Sequence, residues 1–75
     1  MRIIVNAGSW ARRWLPEGLA ELELPEGSFV EDVLAPLGIP PEEIGLFSVN
    51  GKAVQKEAAL SGGNTVRIFP VIMGG

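Results

Sequence analysis

Residues 28–38, SFVEDVLAPLG, carry the pattern that decides the fold of this 75-residue chain. Four apolar residues have the i, i+3, i+4, i+7 spacing of a helix that packs one face on a core. These residues are Val30, Val33, Leu34 and Leu37. Ser28 with Glu31 predicts a capping box at the start, and Gly38 suits the left-handed position after the last turn. Since Pro36 would remove a hydrogen bond inside the helix, we expect a distorted last turn or an end near Leu34.

Strand patterns flank this helix on both sides. Before it, MRIIVNA (1–7) and LAELELP (19–25) place an apolar residue at every second position. After it, LFSVNGKAV (46–54) contains Asn50-Gly51, a pair typical of a type I′ hairpin turn, and TVRIFPV (65–71) alternates again. The positions predicted to face the core are Ile3, Val5, Ala7, Ala20, Leu22, Leu24, Val66 and Ile68.

One helix between two hairpin regions predicts an α+β fold, with a single mixed sheet and the helix packed across one of its faces. A right-handed crossover around that helix would place the first and last strands side by side in the centre. This arrangement is the β-grasp fold. We expect one β-grasp domain over residues 1–71 and a flexible C-terminal Gly-Gly tail over residues 72–75.

The composition excludes several classes of function. The chain has no His and no Cys, which removes the commonest general base, metal ligand and thiol nucleophile. We therefore expect no metal site and no autonomous enzyme. Its formal net charge of −3 argues against nucleic acid as a partner. The sequence contains neither a bilayer-spanning apolar stretch nor a signal-peptide pattern, so we expect a cytoplasmic protein with no membrane partner.

The connection between the first two strands is long. Its sequence, GSWARRWLPEG (8–18), spaces Trp10 and Trp14 four residues apart, so both would share one face of a helical turn. The segment is predicted to be a hairpin connection that carries a short helical insert.

The last strand leaves apolar side chains without a core position. Phe69 and Val71 alternate to the face opposite Val66 and Ile68, while Ile72 and Met73 lie beyond the strand. Two interpretations remain open. In the first, the tail folds back onto the domain, or these residues are ordinary exposed apolar side chains of a protein surface. In the second, they form an apolar patch beside the basic Arg67, which is typical of a partner site.

The closing pair Gly74-Gly75 is a weak signal by itself, because small residues are common at chain termini. It gains chemical meaning if the terminal carboxylate is a reactant. Gly75 has no Cβ to crowd attack at its carbonyl carbon, and Gly74 lets the backbone pass through a narrow channel. A carboxylate ionised at neutral pH is a poor electrophile, so such a reaction requires activation by a partner.

Several segments resemble the ubiquitin-like sulfur carriers of the MoaD and ThiS type: VNGKAV (49–54), TVRIFPV (65–71), FPVIMGG (69–75) and the insert WARRWLPEG (10–18). The resemblance implies a β-grasp protein that binds no cofactor and is no enzyme itself. It implies adenylation of Gly75 by an E1-like adenylyltransferase of the MoeB or ThiF type, which uses ATP, followed by conversion to a thiocarboxylate. Gly74 would be the threading neighbour. The expected partner contacts are Arg67, Phe69, Pro70, Val71, Ile72 and Met73.

The long first connection and the Phe69-Pro70 pair make the chain more similar to the small subunit of molybdopterin synthase than to the thiamine carrier. The expected acceptor is then the large subunit of that synthase, for molybdenum or tungsten cofactor synthesis. The alternatives are a thiazole synthase, or lysines of target proteins if the chain is a ubiquitin-like modifier. One departure is the turn Gly62-Gly63-Asn64, where the family usually has Asp-Gly-Asp. Asn can hold the same turn, but a partner that contacts the acid would be affected.

Overall fold

The structure, a computed structural model, describes residues 1–71. The strands are β1 (Arg2–Asn6), β2 (Leu19–Glu23), β3 (Ile44–Val49), β4 (Lys52–Val54) and β5 (Thr65–Pro70). The α-helix α1 (Leu34–Leu37) directly follows a 3-10 helix (Val30–Val33), and two further 3-10 helices cover Ser9–Ala11 and Pro41–Glu43. No helix among the described residues is both long and apolar enough to cross a membrane.

The five strands form one mixed sheet in the order β2-β1-β5-β3-β4. β1 pairs in parallel with β5, and the other three pairs are antiparallel. The first and last strands are therefore neighbours in the middle of the sheet, as the crossover argument predicted. This topology confirms the β-grasp fold.

The core lies between one face of the sheet and the helical segment. Ile3, Val5 and Val66 are fully buried, and Ile68 is nearly so. Ala7 and Leu24 are also buried, whereas Ala20 and Leu22 are half-buried and pack against the core from the edge strand β2. The alternation predicted for these strands is therefore confirmed.

The helical segment differs from its predicted form in two ways. It is a 3-10 turn followed by one α-turn, rather than a continuous α-helix. The Ser28–Glu31 capping box is wrong: the Phe29 N–H donates to Asp32 Oδ2 at 2.7 Å, while Ser28 Oγ donates to the Pro25 carbonyl oxygen at 2.7 Å. The hydroxyl of Ser28 is committed to the preceding turn, so the cap forms one residue later.

Pro36 lies inside α1 and does not end the segment at Leu34. It is tolerated because it falls in the first turn of the α-helix, where backbone N–H groups have no intrahelical partner. The segment ends at Leu37, and Gly38 has the expected left-handed conformation with φ of 73°.

Two turns use asparagine side chains to hold the end of the sheet at which β5 starts. Asn50 and Gly51 have φ angles of 50° and 86°, as a type I′ turn requires, and Asn50 Oδ1 accepts a hydrogen bond from the Thr65 N–H at 2.8 Å. In the turn before β5, Asn64 Oδ1 accepts from the Ser61 N–H at 2.8 Å. Asn64 therefore supplies the local acceptor that the turn needs.

Candidate functional site

The chain leaves the sheet at one defined end. Because β5 runs parallel to β1 and antiparallel to β3, Pro70 lies where β1 has ended and β3 begins. We call this edge of the sheet the exit end. Two connections also belong to it by topology: the insert between β1 and β2, and the 3-10 helix Pro41–Glu43 before β3.

A β-bulge at Gly45 shapes the exit end. Phe69 pairs with Leu46 and Pro70 with Ile44, so Gly45 is an extra residue in β3. A Cβ at Gly45 would lie 2.7 Å from the Pro70 carbonyl oxygen, closer than side chains approach a backbone atom. The two backbones can therefore meet only because this residue is glycine.

One further bond directs the chain beyond the bulge. The Val71 N–H donates to the Glu43 carbonyl oxygen at 3.0 Å. The path of the chain through Val71 is thus determined by backbone contacts.

Apolar side chains surround this departure point on the sheet face away from the core. Phe69 is 36% exposed, and Leu46, directly opposite in the register, is 45% exposed. Val71 is exposed and Pro70 is half-buried, and these four side chains with Gly45 line a shallow groove. We call Leu46, Phe69, Pro70 and Val71 the exit patch. The outward position of Phe69 confirms the predicted alternation.

Leu46 was not among the predicted site residues. The sequence signal was the pair Leu46-Phe47 within one predicted strand: since successive strand residues point to opposite faces, one of the two must face away from the core. In the structure Phe47 is buried and Leu46 is exposed. The apolar patch is therefore formed by two strands, and its width does not depend on the last strand alone.

Arg67 is exposed on the same face, two residues before Phe69. Its guanidinium carbon lies 5.7 Å from the centroid of the Phe69 ring, which is cation–π geometry worth about 0.5–1 kcal/mol at an exposed site. Within residues 1–71, no carboxylate oxygen lies within 4.0 Å of this guanidinium. The charge is held against the exit patch and keeps its hydrogen-bond donors available.

Other concave or apolar surfaces carry less chemistry. Ile4 and Leu19 are exposed further along the same face, and a groove of about 530 Å³ lies between α1 and β3, with Lys56, Glu31 and Asp32 on its rim. In the described part of the chain, no three acidic side chains come together as a metal site would require. The exit patch is the surface that lies directly at the point of departure of the tail.

Of the predicted site residues, the structure places Arg67, Phe69, Pro70 and Val71 together at the exit end. Ile72, Met73, Gly74 and Gly75 lie outside the described residues. The predicted roles of Gly75 in adenylation and Gly74 in threading, and the boundary of the tail, therefore stay predictions.

Replacing Phe69 by Ala tests the exit patch. Because the side chain is partly exposed on the face away from the core, we expect the free energy of unfolding to change by less than about 1 kcal/mol. We expect partner affinity to fall by about 1–3 kcal/mol, the range of an interface anchor. Thermal unfolding and titration calorimetry with the partner measure the two effects separately. A large drop in melting temperature with unchanged affinity would instead place Phe69 in the core.

The sequence and the fold are both similar to those of known proteins. Residues 15–74 match the family described as Mut7-C ubiquitin, and no curated protein matches the sequence. The structure resembles a Pyrococcus furiosus protein described as molybdopterin converting factor subunit 1, with a TM-score of 0.79 and 24% identity over 96% of this chain and 99% of that chain.

Two Haloferax volcanii proteins are similar as well. Small archaeal modifier protein 1 has a TM-score of 0.76 at 15% identity, over 95% of this chain and 98% of that chain. The HVO 2177 protein has a TM-score of 0.80 at 22% identity, over 100% of this chain and 87% of that chain. At these identities the likeness establishes the fold alone, which is the β-grasp fold described above.

Proposed function

Because the chain belongs to the Mut7-C ubiquitin family and has the β-grasp fold, we propose that it is a sulfur carrier activated at the carboxylate of Gly75. The observation that carries this proposal is the exit patch. An exposed apolar surface, with Arg67 stacked on Phe69, lies where β5 leads into the segment that ends in Gly74-Gly75. A partner that binds this patch would receive the following residues in its own active site.

The chemistry assigns all catalysis to the partners. An oxygen of the Gly75 carboxylate attacks the α-phosphorus of ATP on an E1-like enzyme, and pyrophosphate leaves. A sulfur nucleophile at the oxidation level of sulfide then attacks the carbonyl carbon, and the bond to AMP breaks to give a thiocarboxylate. The carrier needs no base or thiol of its own for either step, which agrees with a sequence without His or Cys. The proposal places carrier and enzyme in the cytoplasm.

The favoured acceptor is the large subunit of a molybdopterin synthase. The likeness in fold to the protein described as molybdopterin converting factor subunit 1 supports this choice, together with the long insert between β1 and β2. Transfer to a thiazole synthase uses the same carrier chemistry and remains an alternative.

A ubiquitin-like protein modifier is the second candidate. The fold of small archaeal modifier protein 1 supports it, with a TM-score of 0.76 beside 0.79 for the protein described as molybdopterin converting factor subunit 1. Both roles would begin with the same activated glycine. In this case the acyl adenylate passes to a protein lysine, and the product is a conjugate.

Intact-mass measurement separates these functions. The chain is incubated with the E1-like enzyme of the same organism, ATP and sulfide, and we expect a gain of about 16 Da, the difference between sulfur and oxygen. Omission of ATP is the control. Lysine-linked conjugates in a lysate, without the 16 Da product, would indicate the modifier. If neither product forms, both functions are excluded.

A further inference from the structure

The insert between β1 and β2 presents a second charged surface at the exit end. It occupies residues 7–18 and is a fixed part of the fold, because Ala11 and Leu15 are buried in the core. The N–H groups of Trp14 and Leu15 both donate to the Ala11 carbonyl oxygen, at 2.9 and 2.8 Å. Trp10 and Trp14 pack edge to face with centroids 6.2 Å apart, so they lie on one face of the turn as their spacing predicted.

This turn holds Arg12 and Arg13 outward. Both side chains are exposed, and among residues 1–71 neither has a carboxylate oxygen within 4.0 Å. The guanidinium carbon of Arg13 lies 5.5 Å from the Trp14 ring centroid. The exit end therefore carries two arginines stacked on aromatic rings, Arg13 on Trp14 and Arg67 on Phe69.

A stacked guanidinium is well prepared to bind a carboxylate. The ring covers one face of the planar group, while the N–H donors point outward in the plane and match the two oxygens of a carboxylate. Stacking also reduces the freedom that the side chain would lose on binding. The stacked guanidinium groups of Arg13 and Arg67 therefore favour a partner surface that carries acidic side chains over one that is entirely apolar.

The charges at the exit end are arranged asymmetrically. Arg12 and Arg13 lie on the β1 side of β5, while Glu42 and Glu43 lie on the β3 side in the 3-10 helix before β3. On the β1 side, Glu17 near the start of β2 offsets one of the two positive charges, so this side keeps a net positive charge. The chain departs between a basic side and an acidic side, and such a pattern fixes the orientation of a charged partner.

We propose that Arg12, Arg13 and Trp14 form a second docking point, at the same end of the sheet as the exit patch, for an acidic surface of the E1-like adenylating enzyme. This inference rests on the proposed function. The net charge of −3 supports it, because an acidic partner surface is repelled by most of the chain and attracted where these arginines are unpaired. Two contacts, one apolar and one charged, then define both the position and the rotation of the carrier on the enzyme.

The test reverses the two charges in R12E/R13E and measures ATP–pyrophosphate exchange by the E1-like enzyme at increasing carrier concentration. We expect the half-saturating concentration to rise at least about tenfold, with little change in the maximal rate, because the tail and the exit patch are intact. The ratio of the half-saturating concentration of R12E/R13E to that of the wild type should fall as the salt concentration rises from about 0.05 to 0.5 M. R12K/R13K should fall in between, because lysine keeps the charge and loses the planar fork.

The matched control is R2E/K52E, which makes the same change in net charge. Arg2 starts β1 and Lys52 starts β4, both at the end of the sheet away from the exit. We expect less than about a twofold change in half-saturation. Equal effects in the two variants, or none in R12E/R13E, would overturn the proposal. So would loss of a wild-type dimer in R12E/R13E by sedimentation, because the surface would then be a contact between copies. If the proposed function fails, the wild-type chain itself supports no exchange, which is a different result.

Discussion

Deletion of Gly75 is expected to abolish thiocarboxylate formation and to leave the melting temperature within about 2 °C of the full chain. β5 ends at Pro70, and the deletion keeps every contact among residues 1–71. The carboxylate would move back by one residue, about 3.3 Å, relative to the docked domain. Since a misplacement of about 1 Å can cost about a hundredfold in rate, it would no longer reach the α-phosphate of ATP.

The matched variant is Gly75→Ala, which keeps the length and the carboxylate but adds a Cβ beside the reacting carbonyl. We expect adenylation of the terminal carboxylate to be reduced rather than lost. The added methyl group only crowds the carbonyl carbon, whereas the deletion withdraws the carboxylate by one residue. Both variants are followed by the 16 Da mass gain and by circular dichroism on heating. Thiocarboxylate on the deleted chain would show that Gly75 is not the reacting residue.

Gly45→Ala is expected to lower the free energy of unfolding by about 2–3 kcal/mol, the upper part of the range for overpacking. In a domain of this size that corresponds to a fall of about 10–20 °C in melting temperature. The cause is the 2.7 Å approach that the new Cβ would make to the Pro70 carbonyl oxygen, with Cα of Val71 at 3.0 Å. Both contacts are to backbone, so neither can be relieved by a side-chain rotation.

Gly62→Ala is the control, because a Cβ there would meet only the Met1 Cβ at 3.5 Å, an ordinary contact. We expect a change of less than about 1 kcal/mol, in either direction. Chemical denaturation of both variants gives the comparison. Equal stability of the two would mean that β3 and β5 do not meet as closely at the bulge as the structure places them.

The strand assignment could be read from the sequence because burial follows local alternation. Ile3 and Val5 in β1, like Val66 and Ile68 in β5, face the core in an unbroken period of two. The outward position of Phe69 followed from the same rule. Apolar spacing also located the helical segment, since Val30, Val33 and Leu34 are buried.

Other features depend on contacts between distant segments, and local patterns do not contain them. The bulge at Gly45 arises from the register between β3 and β5, and with it the pairing of Leu46 and Phe69. The start of the helical segment also depends on a distant segment, because Val30 and Glu31 donate their N–H groups to the carbonyls of Ala58 and Lys56. An isolated helical pattern gives no sign of such partners.

The central place of β5 has a consequence for the synthesis of the protein. A growing chain that has not reached Thr65 can form only the β1–β2 and β3–β4 hairpins, which share no edge. Isolated hairpins are at best marginally stable in water. The sheet is complete only when β5, the last strand before residues 72–75, inserts between the two hairpins. A partner enzyme would therefore meet the C-terminal segment only on a chain whose domain has already folded. Fragments released early would lack both the complete exit patch and the C-terminal segment, so under the proposed function the topology itself would exclude incomplete chains from activation.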